Sequence, residues 1–175
     1  IWNRMAEKSR GSVMAVNAEN GKVLWKSTPD ALAPLSLAVR NKRVFYSSYS
    51  QLVCLDAQSG GELWRSSSFE GGRGNRNTCG TLVAQDNVIL YANKPRGGGN
   101  GHLHAYNAQT GKLLWTGPKY AGPGVTNPPD LFIAGDLLWL GETRLPVDIW
   151  ETKMVRKGYN PRTGDVVRTV SVPML

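Results

Sequence analysis

Few side chains in this chain stand at spacings that chemistry uses. His102 and His104, in "HLH", lie two apart and share a face if the segment is a strand. Two imidazoles on one face can start a metal site, but a zinc-type centre needs a third ligand at least. A repeat described below aligns His104 with Met14 and Val53, so packing or solvent contact is the expected role rather than metal. Cys54 and Cys79 form no CxxC metal pair, no CxxCH haem site and no disulfide framework. Cys54 stands where sister segments carry a small residue and reads as a buried thiol. Its place in mid-strand argues against a bridge to Cys79, which begins a strand in "NTCGTLV". Redox state and compartment do not follow from these two residues. The glycine-rich stretches "GGRGNRN" (71–77) and "PRGGGNG" (95–101) lack the strand-to-helix context of phosphate loops.

Bulk properties exclude some classes. The net charge of +8 is spread along the chain, and nothing resembles a DNA- or RNA-binding module, so nucleic acid is not an expected partner. No apolar run approaches the roughly 20 residues of a membrane-spanning helix. The chain opens on Ile1 rather than Met, which suggests a removed leader or a piece of a longer polypeptide. The repeats favour the second.

The elements that must position these residues are written into the sequence four times. "NAENGKVLWKS" (17–27), "DAQSGGELWRS" (56–66) and "NAQTGKLLWTG" (107–117) are copies, and "NPRTGDVVRTV" (160–170) is a weaker one. Their glycines, Gly21, Gly60, Gly111 and Gly164, are separated by 39, 51 and 53 residues. Such periods mark a supersecondary unit that buries its faces only by stacking on its neighbours. Asn17, Asp56, Asn107 and Asn160 can accept a backbone N–H two residues on. The glycines suit a positive φ at the end of the turn. Together these features predict a hairpin loop with a type I turn and a glycine bulge.

Two further strand-like runs precede each later copy, joined by the short turns "RNK", "DN" and "GD". Each unit therefore reads as a four-stranded antiparallel meander, A to D, and the chain as all-β. In strand C the small residues Ala15, Cys54, Ala105 and Gly158 align, flanked by Val16, Leu55, Tyr106 and Tyr159. Trp25, Trp64 and Trp115 follow on strand D, each four residues after its glycine. Large rings at a repeated position are expected to be buried at the junctions between units. Sheets stacked face to face in an arc make a β-propeller.

The pattern "LVCLDAQSGGELW" and its sisters resembles the PQQ-like (quinoprotein-type) β-propeller repeat. This family includes the outer-membrane assembly lipoprotein (BamB-like) and extracytoplasmic sensors as well as enzymes. In it the tryptophans dock one blade on the next, which implies structural roles for Trp25, Trp64 and Trp115 and for the four turn glycines. The fourth copy departs from the pattern, with Arg168 at the tryptophan position. The blades fall at about 1–27 (incomplete), 33–66, 78–116 and 128–170. That is a partial propeller of about four blades, whereas the family usually closes rings of seven or eight. The remainder of the ring, from the same chain or a second copy, is thus an expected partner.

The resemblance also raises a PQQ-dependent dehydrogenase with calcium. The chain has neither the adjacent cysteine pair of such enzymes nor an acidic cluster assignable to calcium. No cofactor and no catalysis are therefore expected of this segment, with part of a quinoprotein dehydrogenase as the alternative. The expected role is binding or scaffolding, in the periplasm or otherwise outside the cytoplasm. The A–B and C–D turns, short throughout, share one rim, while the long B–C and D–A loops share the other. One-sided insertion in a repeat protein marks a binding face. On it, Arg73, Arg76, Lys94 and Arg96 form an expected basic cluster for an anionic ligand or acidic protein partner, with Trp150 as an apolar contact. Trp139 lies outside the docking position.

Overall fold

The computed structural model describes residues 11–33, 36–69, 80–93, 101–120, 131–140 and 153–173. Among the described residues there are fourteen strands. β1 (Val13–Val16) and β2 (Val23–Ser27) form a two-stranded sheet. β3 (Leu37–Arg40), β4 (Arg43–Ser47), β5 (Leu52–Asp56) and β6 (Glu62–Arg65) follow as a meander. β7 (Thr81–Gln85), β8 (Val88–Ala92), β9 (Gly101–Asn107) and β10 (Leu113–Tyr120) make the next. The last consists of β11 (Leu131–Ala134), β12 (Leu137–Leu140), β13 (Lys153–Tyr159) and β14 (Val166–Pro173). All pairings are antiparallel. These sheets are the blades of a partial β-propeller, numbered one to four. The expected strand B of the first blade lies outside the described residues.

Local sequence explains each hairpin. Asn17 Oδ1 accepts the N–H of Glu19 at 2.8 Å and of Asn20 at 3.3 Å. Asn107 and Asn160 do the same for their own turns, and Asp56 accepts from Gln58 and Ser59. Hydrogen bonds from the Ser59 N–H and hydroxyl hold the Asp56 carboxyl below its ordinary pKa. Each turn closes with the glycine N–H on the carbonyl of the first residue, as in Gly60 to Asp56 at 2.9 Å. The glycines have φ of 70–78°, where a side chain would be strained. A one-residue bulge in strand D follows each turn: Leu24, Leu63, Leu114 and Val167 are skipped in the pairing with strand C. The A–B turns are tighter: Asn41 and Lys42, and Gly135 and Asp136, all have positive φ, the backbone of a two-residue hairpin.

Strands C and D extend further toward the long loops than the sequence suggests. β10 continues to Tyr120, with Tyr120 opposite Gly101, although 117–120 reads as loop. The register breaks between Thr116 and Lys119, where Pro118 has no N–H to donate. Likewise β13 begins at Lys153 and pairs with β14 as far as Pro173. The facing strand supplies the hydrogen bonds that composition alone does not announce.

The core lies between blades. Val13 of the first blade packs with Val44, Tyr46, Val53 and Leu55 of the second. The second blade's other face, Phe45, Leu52 and Cys54, meets Leu82, Ile89, Tyr91 and Tyr106 of the third. Val88, Leu90, Leu103 and Ala105 on the third blade's far side meet Leu131, Leu138, Leu140 and Tyr159 of the fourth. Each fully buried aliphatic or aromatic side chain contributes about 1.5–3 kcal/mol, and both faces of blades two and three depend on a neighbour for it.

Candidate functional site

The repeated residues come together at the junctions. Trp25 Nε1 donates to the Ala57 carbonyl at 2.9 Å, Trp64 Nε1 to Ala108 at 3.0 Å and Trp115 Nε1 to Pro161 at 3.0 Å. Each acceptor belongs to the C–D turn of the following blade. The ring lies over that turn's glycine. A Cβ on Gly60 would come within 2.6 Å of the Trp25 ring, on Gly111 within 2.5 Å of Trp64 and on Gly164 within 2.8 Å of Trp115. The glycines thus serve both the turn and the close approach of an indole. The three indoles are half-buried rather than buried as expected. Each lies on the outermost strand, so only part of the ring is covered by the next blade. Trp139 behaves differently. Its Nε1 donates to Ala134 of its own blade at 3.0 Å, and its ring covers Gly158.

His102 and His104 share one face of β9, with ring centroids 6.0 Å apart. They join an aromatic cluster at the junction of blades two and three. Phe69, which follows β6, stacks on His104 at 6.2 Å and reaches Tyr91 at 5.3 Å and Tyr106 at 6.4 Å. Ser47 Oγ donates across the junction to the Tyr91 hydroxyl at 3.1 Å. His104 Nδ1 lies 3.2 Å from Thr116 Oγ1, and its Nε2 is buried with no hydrogen-bond partner among the described residues. Burial, aided by the neighbouring His102, lowers the His104 pKa to about 4, so the ring is neutral at pH 7. Burial and then Tyr91 push Tyr106 up to about 12. Of the two roles expected for the histidines, packing or solvent contact, the structure shows packing for His104; Phe69, distant in the chain and outside any repeat position, was not legible in the sequence.

Cys54 is a free, buried thiol, and burial raises its pKa. Cys79 lies outside the described residues. Among the described residues no group of three or more His, Cys, Asp or Glu side chains is placed to hold a metal ion.

The rims are partly visible. Ala57 N–H donates to the Lys42 carbonyl at 3.0 Å and Ala108 N–H to Asn87 at 2.8 Å. These bonds place the A–B and C–D turns of a blade side by side on one rim. Adjacent blades are linked there by Arg40 Nη2 on Asp86 Oδ1 at 3.3 Å and Asn41 Nδ2 on the Asp86 carbonyl at 3.0 Å. An open cleft of about 300 Å³ on this rim, between blades three and four, is lined in part by Asp86, Asp136, Asn160 and Arg162. Arg73, Arg76, Lys94, Arg96 and Trp150 of the opposite rim lie outside the described residues.

Residues 9–174 match the family described as outer membrane protein assembly factor BamB. The chain belongs to this PQQ-like propeller family. It is 28% identical over 166 residues to lupanine 17-hydroxylase [cytochrome c] of a Pseudomonas species, covering 86% of this chain and 23% of that protein. To the quinohemoprotein alcohol dehydrogenase of Comamonas testosteroni it is 25% identical, over 67% of this chain and 18% of the relative. The chain therefore spans about a quarter or less of these relatives. The crystal structure of BamB from Moraxella catarrhalis superposes with a TM-score of 0.60 at 16% identity, covering 91% of this chain and 46% of that one. The Comamonas enzyme superposes with a TM-score of 0.65 at 17% identity, over 92% and 32%. At these identities the structures establish the fold. The relatives include both an assembly factor and quinohemoprotein dehydrogenases.

Proposed function

We infer that this chain is a binding or scaffolding part of an extracytoplasmic propeller, and that its long-loop rim captures an anionic ligand or an acidic protein surface. One observation carries the reading. The polar side chains that recur in every copy bond back to their own turns, so the repeated motif builds the blade and leaves specificity to the loops. The membership of the family described as an assembly factor supports the same direction, although fold alone does not fix function. Arg73, Arg76, Lys94 and Arg96 are the proposed contacts, with Trp150 beside them. The test is binding of the full chain to immobilised poly-glutamate. Exchanging the four basic residues for Ser is expected to weaken retention at unchanged thermal stability. Removing Lys22, Lys42, Lys112 and Arg162 from the short-turn rim should have a smaller effect. Equal retention of the loop variant and the parent would refute the site.

The likeness to lupanine 17-hydroxylase across 86% of this chain favours a second reading, a segment of a quinoprotein dehydrogenase. Titration of the chain with PQQ and calcium tests it: saturable binding at micromolar concentrations would support the enzyme.

A further inference from the structure

The outermost strands of the four blades end their sheets in different ways. Such a strand has a row of backbone N–H and C=O groups with no strand beside it, a template for another chain unless it is short, bulged or charged. β2 and β6 are short, at five and four residues. β10 has eight, but its pairing breaks between Thr116 and Lys119, at Gly117 and Pro118. β14 also has eight and no such break. After the bulge that follows its turn, Arg168 to Pro173 pair residue for residue with β13. Thr169, Val170 and Val172 are β-branched types suited to a strand, and Arg168 is the one charge in β14. Among the described residues β14 ends its sheet, and Val166 to Ser171 are exposed throughout. This edge points sideways out of the blade stack, so it stays an edge however many blades the ring holds.

The ladder fixes which backbone groups the edge presents. Asn160 N–H donates to the Asp165 carbonyl at 2.8 Å. From there the backbone direction alternates along the strand. Gly158 and Arg156 therefore turn toward β14, and their partners Arg168 and Val170 turn back toward β13. The N–H and C=O of Thr169 and Ser171 point the other way, away from β13.

We propose that the β14 edge pairs antiparallel with β14 of a second copy of this chain, about a two-fold axis at Val170, joining the two fourth blades into one continuous sheet. Self-complementarity selects this occupant. Thr169 of each copy lies opposite Ser171 of the other, so these outward-pointing residues exchange about four main-chain hydrogen bonds. They also form two Thr–Ser pairs, a favourable cross-strand combination. Arg168 lies opposite position 172, a valine, so no like charges meet. The contact is separate from the loop rim and from the packing of blade on blade.

Sedimentation equilibrium of the full chain is expected to show a weak dimer, with Kd on the order of 0.1 mM, as fits an interface below standard size. Thr169→Glu with Ser171→Glu sets carboxylates against each other across the axis and should weaken dimerisation at least about tenfold. Thr169→Glu with Ser171→Lys sets opposite charges there and should hold dimerisation at the parental level or tighter. That variant also controls for any loss of folding from charge on the strand. The axis is read by Val170→Cys in a Cys79→Ser background. Residues opposed at a pair without hydrogen bonds have Cα atoms about 4.5 Å apart, within reach of a disulfide. V170C should therefore cross-link under mild oxidation, and V167C in the same background should not. A parent that stays monomeric at about 1 mM, equal association of the two charge variants, or V170C cross-linking no faster than V167C would each overturn the proposal.

Discussion

The junction between blades two and three and that between blades three and four share a frame and differ in filling. Both are fixed by an indole over a turn glycine with its N–H on a carbonyl 3.0 Å away. The second-to-third junction holds tyrosines, histidines and Phe69, and hydroxyls meet across it. The third-to-fourth is almost wholly aliphatic. A common latch lets the repeat vary its packing without losing register, and variation brings the histidines His102 and His104 to the second-to-third junction.

The largest expected effect tests the latch. Trp64→Ala and Trp115→Ala should each destabilise by about 2–4 kcal/mol in urea unfolding, somewhat below a fully buried ring. Each leaves a carbonyl without its donor. Similar losses would show that the latch dominates, and a loss at one site alone would show that the filling does.

The glycines sharpen the same comparison. Gly111→Ala meets both a positive φ and the Trp64 ring at 2.5 Å, while Gly21→Ala meets only the φ. The first should cost at least about 1 kcal/mol more than the second, by the same unfolding measurement, since αL strain alone is about 1–2 kcal/mol.

Acid should separate the junctions next. Folding depresses the His104 pKa from 6.5 to about 4. Between those values the unfolded chain binds the extra proton, so stability is complete above pH 6.5 and declines as pH falls toward 4. His102, Tyr91, Tyr106 and Thr116 surround the ring. His104→Phe should flatten the pH dependence of Tm between pH 6.5 and 4. An unchanged slope would mean that His104 protonates without opening the junction.

The smallest effect belongs to the rim contact between the A–B turns. Arg40 and Asp86 are both half-exposed, so Arg40→Ala should shift stability by less than about 1 kcal/mol, and less still at high salt. A larger loss would place the rim alongside the latch.

The sequence by itself determined the hairpins, because an Asx acceptor and a positive-φ glycine act within one turn. It also determined the blade order and the positions of Trp25, Trp64 and Trp115, because a repeat forces equivalent residues into equivalent places. The reach of β10 and β13 was not legible, since those hydrogen bonds depend on a facing strand. Nor was the half-burial of the indoles, which depends on how far the next blade extends over the outer strand. The basic loop cluster at residues 73–96 rests on loop lengths alone. Only the tertiary structure decided that Phe69 closes over His104, that Trp139 turns back on its own blade, and that among the described residues nothing covers Gly21. Each depends on which surfaces meet across a junction, and sequence spacing within one blade carries no information about its neighbour's side chains.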